Sequence, residues 1–296
     1  MRVGVVILPE YRWSEAAPKW RAAEEYGFHT AWTYDHLGWR SLVDGPWFDS
    51  IGLLTAAATV TSSLRLGTLV ASPNFRHPVS FARSLIALDD ISDGRFTLGV
   101  GAGHAGQDKY DNVVMGTPEP SMRERAERFA EFVELTDALL TTPKTSFEGK
   151  HFSAVQARMA PGCAQKPRVP FMIAGTGPKA MRLAARFGQG WITTGTVRDD
   201  VDGWWGSLRA QVERFDEALH EQGRDSAGVA RCLLLDASPV YSLSTVDTFA
   251  EMVGRAGEFG FTDVVVHWPR PDGIYAGDES VLERVASDVL PTLTVQ

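Results

Sequence analysis

Apolar positions along this chain come in blocks of two kinds. Short unbroken runs recur at Val3–Leu8 (VGVVIL), Thr30–Tyr34 (TAWTY), Leu64–Val70 (LRLGTLV), Arg95–Gly101 (RFTLGVG), Phe171–Ala174 (FMIA), Gly190–Thr194 (GWITT), Arg231–Asp236 (RCLLLD) and Thr262–His267 (TDVVVH). Runs without polar alternation suit strands covered on both faces. Between them lie longer stretches whose apolar residues repeat every three to four positions, as Phe81, Leu85, Leu88 and Ile91 do. That period places one apolar stripe on one face of a helix.

Leu64 to Gly103 shows the repeating unit most clearly. Ser72-Pro73-Asn74 ends the first run, because proline cannot donate to a strand ladder. Pro78 suits a first helical turn, and Asp93-Gly94 stops that helix before the next buried run. Strand, crossover helix and strand of this length form a parallel, right-handed unit. The remaining helices are expected over Ser14 to Tyr26 with Ser14 as cap, Asp49 to Thr61, from Ser121 onward, to Phe187, and at about 202–223, 244–259 and 278–290. Ser121-Met-Arg-Glu124 has capping-box form. His104 to Pro120 reads as a polar loop. Thr141 to Pro170 has no period, so it is functional or hides short strands. Eight strands alternating with eight helices, with no linker, predict a single (β/α)8 TIM barrel over 1–296 with insertion segments.

The formal net charge of −8, without a Lys/Arg block, argues against a nucleic-acid binder. Cys163 and Cys232 are too few for a disulfide framework and read as reduced thiols. Val3–Leu8 is too short for a signal segment, and no later run approaches a membrane span. The expectation is a cytoplasmic protein acting on a small-molecule substrate, without nucleic acid or membrane partners, and with a homodimer left open.

Barrels gather their chemistry where strands end. Those ends offer Asp35, His36 and Trp39; Ser72, Asn74 and Arg76; Gly101, Gly103 and His104; Thr193 and Thr194; and His267 and Trp268. No HExxH, HxH or carboxylate cluster is present, so no metal is expected. Gly175-Thr176-Gly177-Pro178 opens a helix after a strand, where free N–H groups can receive an anion. GVGAGH does not open a helix as G-x-G-x-x-G requires, which excludes a Rossmann reading. Asp35 reads equally as a site group or as a brace.

TYDHL (33–37), LGTLVASPNFRHP (66–78), DDISDGRFTLGVGAG (89–103), IAGTGPKAMRLAARFGQGWI (173–192) and FTDVVVHWPRP (261–271) together resemble the bacterial luciferase-like oxidoreductases. These barrels use reduced FMN or the deazaflavin coenzyme F420. The Asp35-His36 pair is most similar to the F420-dependent branch. That resemblance implies Asp35 against the coenzyme ring and His36 as the acid–base group, beside catalytic candidates Trp39 and His104. It further implies a non-prolyl cis peptide at Leu69–Val70 with Ser72 nearby, Gly103 at the ring, and Gly175, Thr176, Gly177 and Thr194 around the phosphate.

Sugar-phosphate-oxidising members carry glutamate where this chain has His104, and a lysine where it has Val197 beside Arg198. The first departure points away from a sugar phosphate; at the second, Arg198 stands as the candidate substitute for the lysine. The function implied is hydride transfer between F420 and a small organic substrate, with Trp39, Trp47 and Trp268 as an apolar wall or as core. The alternatives are a reduced-FMN monooxygenase using oxygen and a flavin-binding protein without catalysis.

Overall fold

The computed structural model describes residues 1–103, 109–196 and 198–293. In chain order the elements are β1 (Arg2–Val6), α1 (Trp13–Glu25), β2 (Thr30–Thr33), α2 (Ser50–Val60), β3 (Arg65–Thr68), α3 (Pro78–Ile91), β4 (Phe96–Val100), α4 (Lys109–Val114) and α5 (Met122–Thr141). They continue as β5 (Lys144–Glu148), β6 (Ser153–Arg158), β7 (Phe171–Ala174), α6 (Pro178–Phe187), β8 (Gly190–Thr193), α7 (Val201–Glu221), β9 (Ala230–Leu234), α8 (Val246–Glu258), β10 (Asp263–His267) and α9 (Glu279–Arg284). Eight strands close into a parallel barrel in the order β1-β10-β9-β8-β7-β4-β3-β2, while β5 and β6 pair antiparallel outside it. The expected (β/α)8 barrel is the observed fold.

Strand alternation divides the core into two shells. Val3, Val5, Ala31, Leu66, Leu98, Ile173, Leu233, Val264 and Val266 face the helices. Val6, Trp32, Met172, Ile192, Cys232, Leu234 and Val265 fill the barrel's interior. The Trp32 indole lies across β3, and a Cβ added at Gly67 would stand 2.3 Å from its ring. Only glycine admits that ring. Burying such a side chain stabilises the fold by about 1.5–3 kcal/mol, and here it also closes the barrel below the strand ends.

Several expectations are corrected. α1 is capped at Arg12 without a side-chain bond, not at Ser14, because Glu15 and Ala16 N–H already reach the Arg12 carbonyl. α4 lies inside the segment read as a polar loop. The stretch from 141 to 170 hides the β5–β6 hairpin. The last helix keeps α-geometry only to Arg284, then widens to a π-turn over Val285–Val289. At Ser121 the expected capping box is formed. Most strands end one or two residues before their apolar runs do, since the chain there leaves the ladder to shape the barrel mouth.

Candidate active site

His36 follows β2 with the inward parity of Trp32 and Tyr34. Its Nδ1 lies 2.8 Å from Oδ2 of Asp111, whose other oxygen accepts the Leu37 N–H at 2.7 Å. Asp111 is wholly buried, and the His36 side chain is 10% exposed. A carboxylate facing Nδ1 holds the proton there and makes Nε2 the basic nitrogen. The Trp47 indole N–H donates to the His36 carbonyl at 2.8 Å and fixes the backbone on the other side. Asp111 stands on α4, far along the chain in a segment that looked structureless, so no sequence signal near His36 announced it.

Asp35 has the opposite parity and turns into the wall. Ser50 donates to it at 2.6 Å and Arg76 grips it through Nε at 3.2 Å and an outer nitrogen at 2.6 Å. Arg76 also holds Asp49, the cap of α2. Asp35 and Arg76 thus brace the β2 and β3 ends, and of the two readings open for Asp35 the brace describes its contacts.

The Leu69–Val70 peptide is cis, as the resemblance implied. Both side chains belong to the interior cluster, with Trp39 and Trp47. Ser72 is buried, and Asn74 is buried under Gly103, where a Cβ would stand 2.7 Å from the Asn74 amide nitrogen. Gly103 adopts a left-handed φ of +74°. His104 and Val197 lie outside the described residues.

At the β7 end, Gly175 packs so close to α6 that a Cβ would meet Ala180 at 2.3 Å. Thr176 and Gly177 are exposed. Gly177 caps α6 without a side-chain bond, and Pro178 occupies the first turn. First-turn N–H groups have no intrahelical acceptor, and around a Cβ at Gly177 nothing lies within 4 Å. The turn is open to solvent on that side. Thr193 is tied outward to Gln211 at 2.5 Å, which leaves Thr194 the inward parity, its carbonyl held by the Trp204 indole at 2.9 Å.

Trp39 packs edge-on against Tyr34 with centroids 5.0 Å apart, with the Arg40 guanidinium 4.5 Å over its ring. Trp268 is a correction: it stacks on Tyr26, donates to Glu279 at 2.6 Å and belongs to the outer shell. Parity explains this, because its neighbour His267 faces inward. His267 is the second histidine at the mouth. Its Nδ1 is 2.9 Å from Asp236, its Nε2 is 2.8 Å from the Tyr34 hydroxyl, and Tyr275 stacks on its ring at 3.5 Å. Asp236, Tyr34 and Tyr275 were not singled out from sequence; inward parity of Tyr34 and Asp236 at their strand ends was the available signal. Among the described residues no cluster could hold a metal ion, and no helix is long and apolar enough to cross a membrane.

Residues 1–271 match the luciferase-like monooxygenase family. An F420-dependent glucose-6-phosphate dehydrogenase from Beutenbergia cavernae is 30% identical over 92% of this chain and 90% of its own length. The F420-dependent tetrahydromethanopterin reductase of Methanopyrus kandleri superposes with a TM-score of 0.80 at 21% identity, over 99% of both chains. An F420-dependent secondary alcohol dehydrogenase bound to an F420-acetone adduct superposes at 0.81 with 19% identity, over 100% of this chain and 99% of that one. These two structures share the barrel.

Proposed function

The chain belongs to the luciferase-like monooxygenase family, and on that footing we propose that it is an oxidoreductase moving a hydride between coenzyme F420 and a small organic alcohol or carbonyl compound. The observation that carries this reading is the His36–Asp111 pair at the end of β2, with Leu69 and Val70 following the neighbouring strand β3 into the interior cluster. The residues fit a planar ring with a phosphate tail. Leu69 and Val70 supply a flat apolar contact, Trp39 and Trp47 a wall, and Gly175, Thr176 and Gly177 the anion cradle at α6. Ser72, Gly103 and Thr194 flank these two parts.

When bound, the deazaflavin supplies hydride chemistry. The protein's share is orientation and proton movement. His36 Nε2 gives or takes one of the protons that accompany the hydride, and Asp111 steadies the imidazolium that results. The aromatic wall and the buried floor exclude water. His104, where sugar-phosphate-oxidising members carry glutamate, favours a substrate without phosphate.

Fluorescence titration of the purified protein with F420, FMN and reduced FMN tests this. F420 should bind at least tenfold more tightly than either flavin, and Gly177→Val should weaken it about tenfold while the circular dichroism spectrum stays unchanged. Preferential binding of reduced FMN with oxygen consumption would transfer the site to monooxygenase chemistry. Unchanged affinity in Gly177→Val would place the phosphate elsewhere.

A further inference from the structure

We propose that Tyr275 and Tyr34 form a proton relay into the buried Asp236–His267 pair, with Tyr275 as a second catalytic group of the mouth. This rests on reading the mouth as a hydride-transfer site.

The direction of the relay follows from counting protons. Asp236 Oδ2 accepts the His267 backbone N–H at 2.6 Å and sits 2.9 Å from Nδ1; Oδ1 accepts the Ser242 N–H at 2.9 Å. A carboxylate can only accept, so Nδ1 carries the imidazole proton and Nε2 is the acceptor. The Tyr34 hydroxyl, 2.8 Å away, must then donate its one proton to Nε2. Its oxygen is left to accept from the Tyr275 hydroxyl at 3.3 Å. Every donor points inward, from Tyr275 through Tyr34 and His267 to Asp236.

The outer end is held in place by the chain around it. Tyr275 sits at a left-handed φ of +61°, which a bulky residue adopts only when its surroundings impose it. Arg270 imposes it. Its backbone N–H donates to the Tyr275 carbonyl at 2.9 Å, its guanidinium donates to the Ile274 carbonyl at 3.1 Å, and Glu10 clamps it at 2.7 and 3.0 Å. The loop so formed lays the half-buried Tyr275 ring parallel to His267 and, at 6.1 Å, to Trp39. A histidine needed only for packing requires neither a buried carboxylate behind it nor a pinned phenol in front.

Oxidation of an alcohol releases a hydride and a proton, and reduction of a deazaflavin takes up both, so such a mouth handles protons at two places. His36 serves one and the relay the other. With oxidised F420 as the acceptor of the C–H hydride, the substrate O–H proton would pass to Tyr275. The Tyr275 proton passes to Tyr34, and the Tyr34 proton to His267 Nε2. The C–O bond becomes C=O, and the imidazolium formed is paired with Asp236 until the relay returns its proton to solvent.

Two measurements test this. The first uses no coenzyme: ¹⁵N NMR of the free protein should show His267 protonated at Nδ1, with a Nε2 resonance that moves in Tyr275→Phe. Protonation at Nε2, or an unmoved resonance, overturns the relay. The second is single-turnover bleaching of F420 by 2-propanol and cyclohexanol. Tyr275→Phe and Tyr34→Phe should each slow it about 10²-fold with F420 affinity kept within twofold. The double variant should be no slower than the worse single variant by more than about threefold, because groups acting as one unit do not add. Wild-type-like rates, or losses that multiply, overturn the proposal. If the wild type binds no F420 or bleaches it with neither alcohol, the hydride-transfer reading fails instead, and the NMR result decides the relay alone.

Discussion

Tyr34 stands between two histidines, each paired with an aspartate, its ring centroid 6.2 Å from His36 and 5.6 Å from His267. The His36 pair joins the end of β2 to α4, an element inserted between barrel units, and its imidazole retains 10% exposure. The His267 pair joins the ends of neighbouring strands β9 and β10, and its members are 0% and 1% exposed. Asp236 receives two backbone N–H groups besides Nδ1, whereas Asp111 receives one. Identical side-chain chemistry thus sits once at the barrel's rim and once in its frame. A proton exchanged directly with bulk solvent suits the rim, and one that travels through neighbouring hydroxyls suits the frame.

The largest effect should come from the rim. His36→Ala is expected to lower single-turnover hydride transfer by about 10²–10⁴-fold, with F420 affinity changed far less. Asp111→Asn should retain the fold and lose about tenfold, through a misplaced tautomer. Stopped-flow rates on folded variants decide this, and a near-wild-type His36→Ala would remove that residue from the mechanism.

The frame should answer chiefly in stability. Truncating one partner of a buried pair costs about 3–5 kcal/mol, so Asp236→Ala should lower Tm by about 6–20 °C at roughly 2–4 °C per kcal/mol. Asp111→Ala, holding only the short α4, should lose less than half of that. Equal losses in differential scanning calorimetry would erase the distinction between rim and frame.

The barrel was readable in the sequence because every strand is an unbroken apolar run and every crossover has helical period. That His36, Trp39 and the Gly175–Gly177 turn stand at the barrel's mouth was readable because a barrel's strand ends converge. Asp111 was not, since its pairing depends on where α4 docks, a tertiary fact with no local period. For Trp268 the core reading holds and the wall reading does not, because two residues adjacent in an extended segment do not both face the mouth. Alternation sends His267 inward and Trp268 to the helices, and the same rule sends Asp35 into the wall. Counting parity past the strand end separates these residues and would have pointed to Tyr34.

The smallest effect is a pH dependence of stability peculiar to the frame pair. Burial lowers the His267 pKa below the ordinary value of 6.5; Asp236 opposes that shift without overcoming it, and Arg40 adds to it. Tyr34 and Tyr275, the other groups facing the ring, are pushed upward by their own burial, Tyr275 to about 12, and stay neutral throughout. A depressed histidine pKa means that the unfolded chain binds more protons than the folded one between the folded value and about 6.5. Stability therefore rises with pH across that window and is lost as pH falls below 6.5, by about 1.4 kcal/mol for each full unit of depression. His29 is also lowered, by burial and by Arg2, and contributes in the same direction. Comparing wild type with His267→Gln cancels His29, and Glu24, held at about 2, titrates far below the window. Urea denaturation at pH 5 and pH 7.5 should give wild type a larger difference in unfolding free energy than His267→Gln. Equal differences would mean that His267 is protonated as readily inside the barrel as outside it, and the frame would then be no drier than the rim.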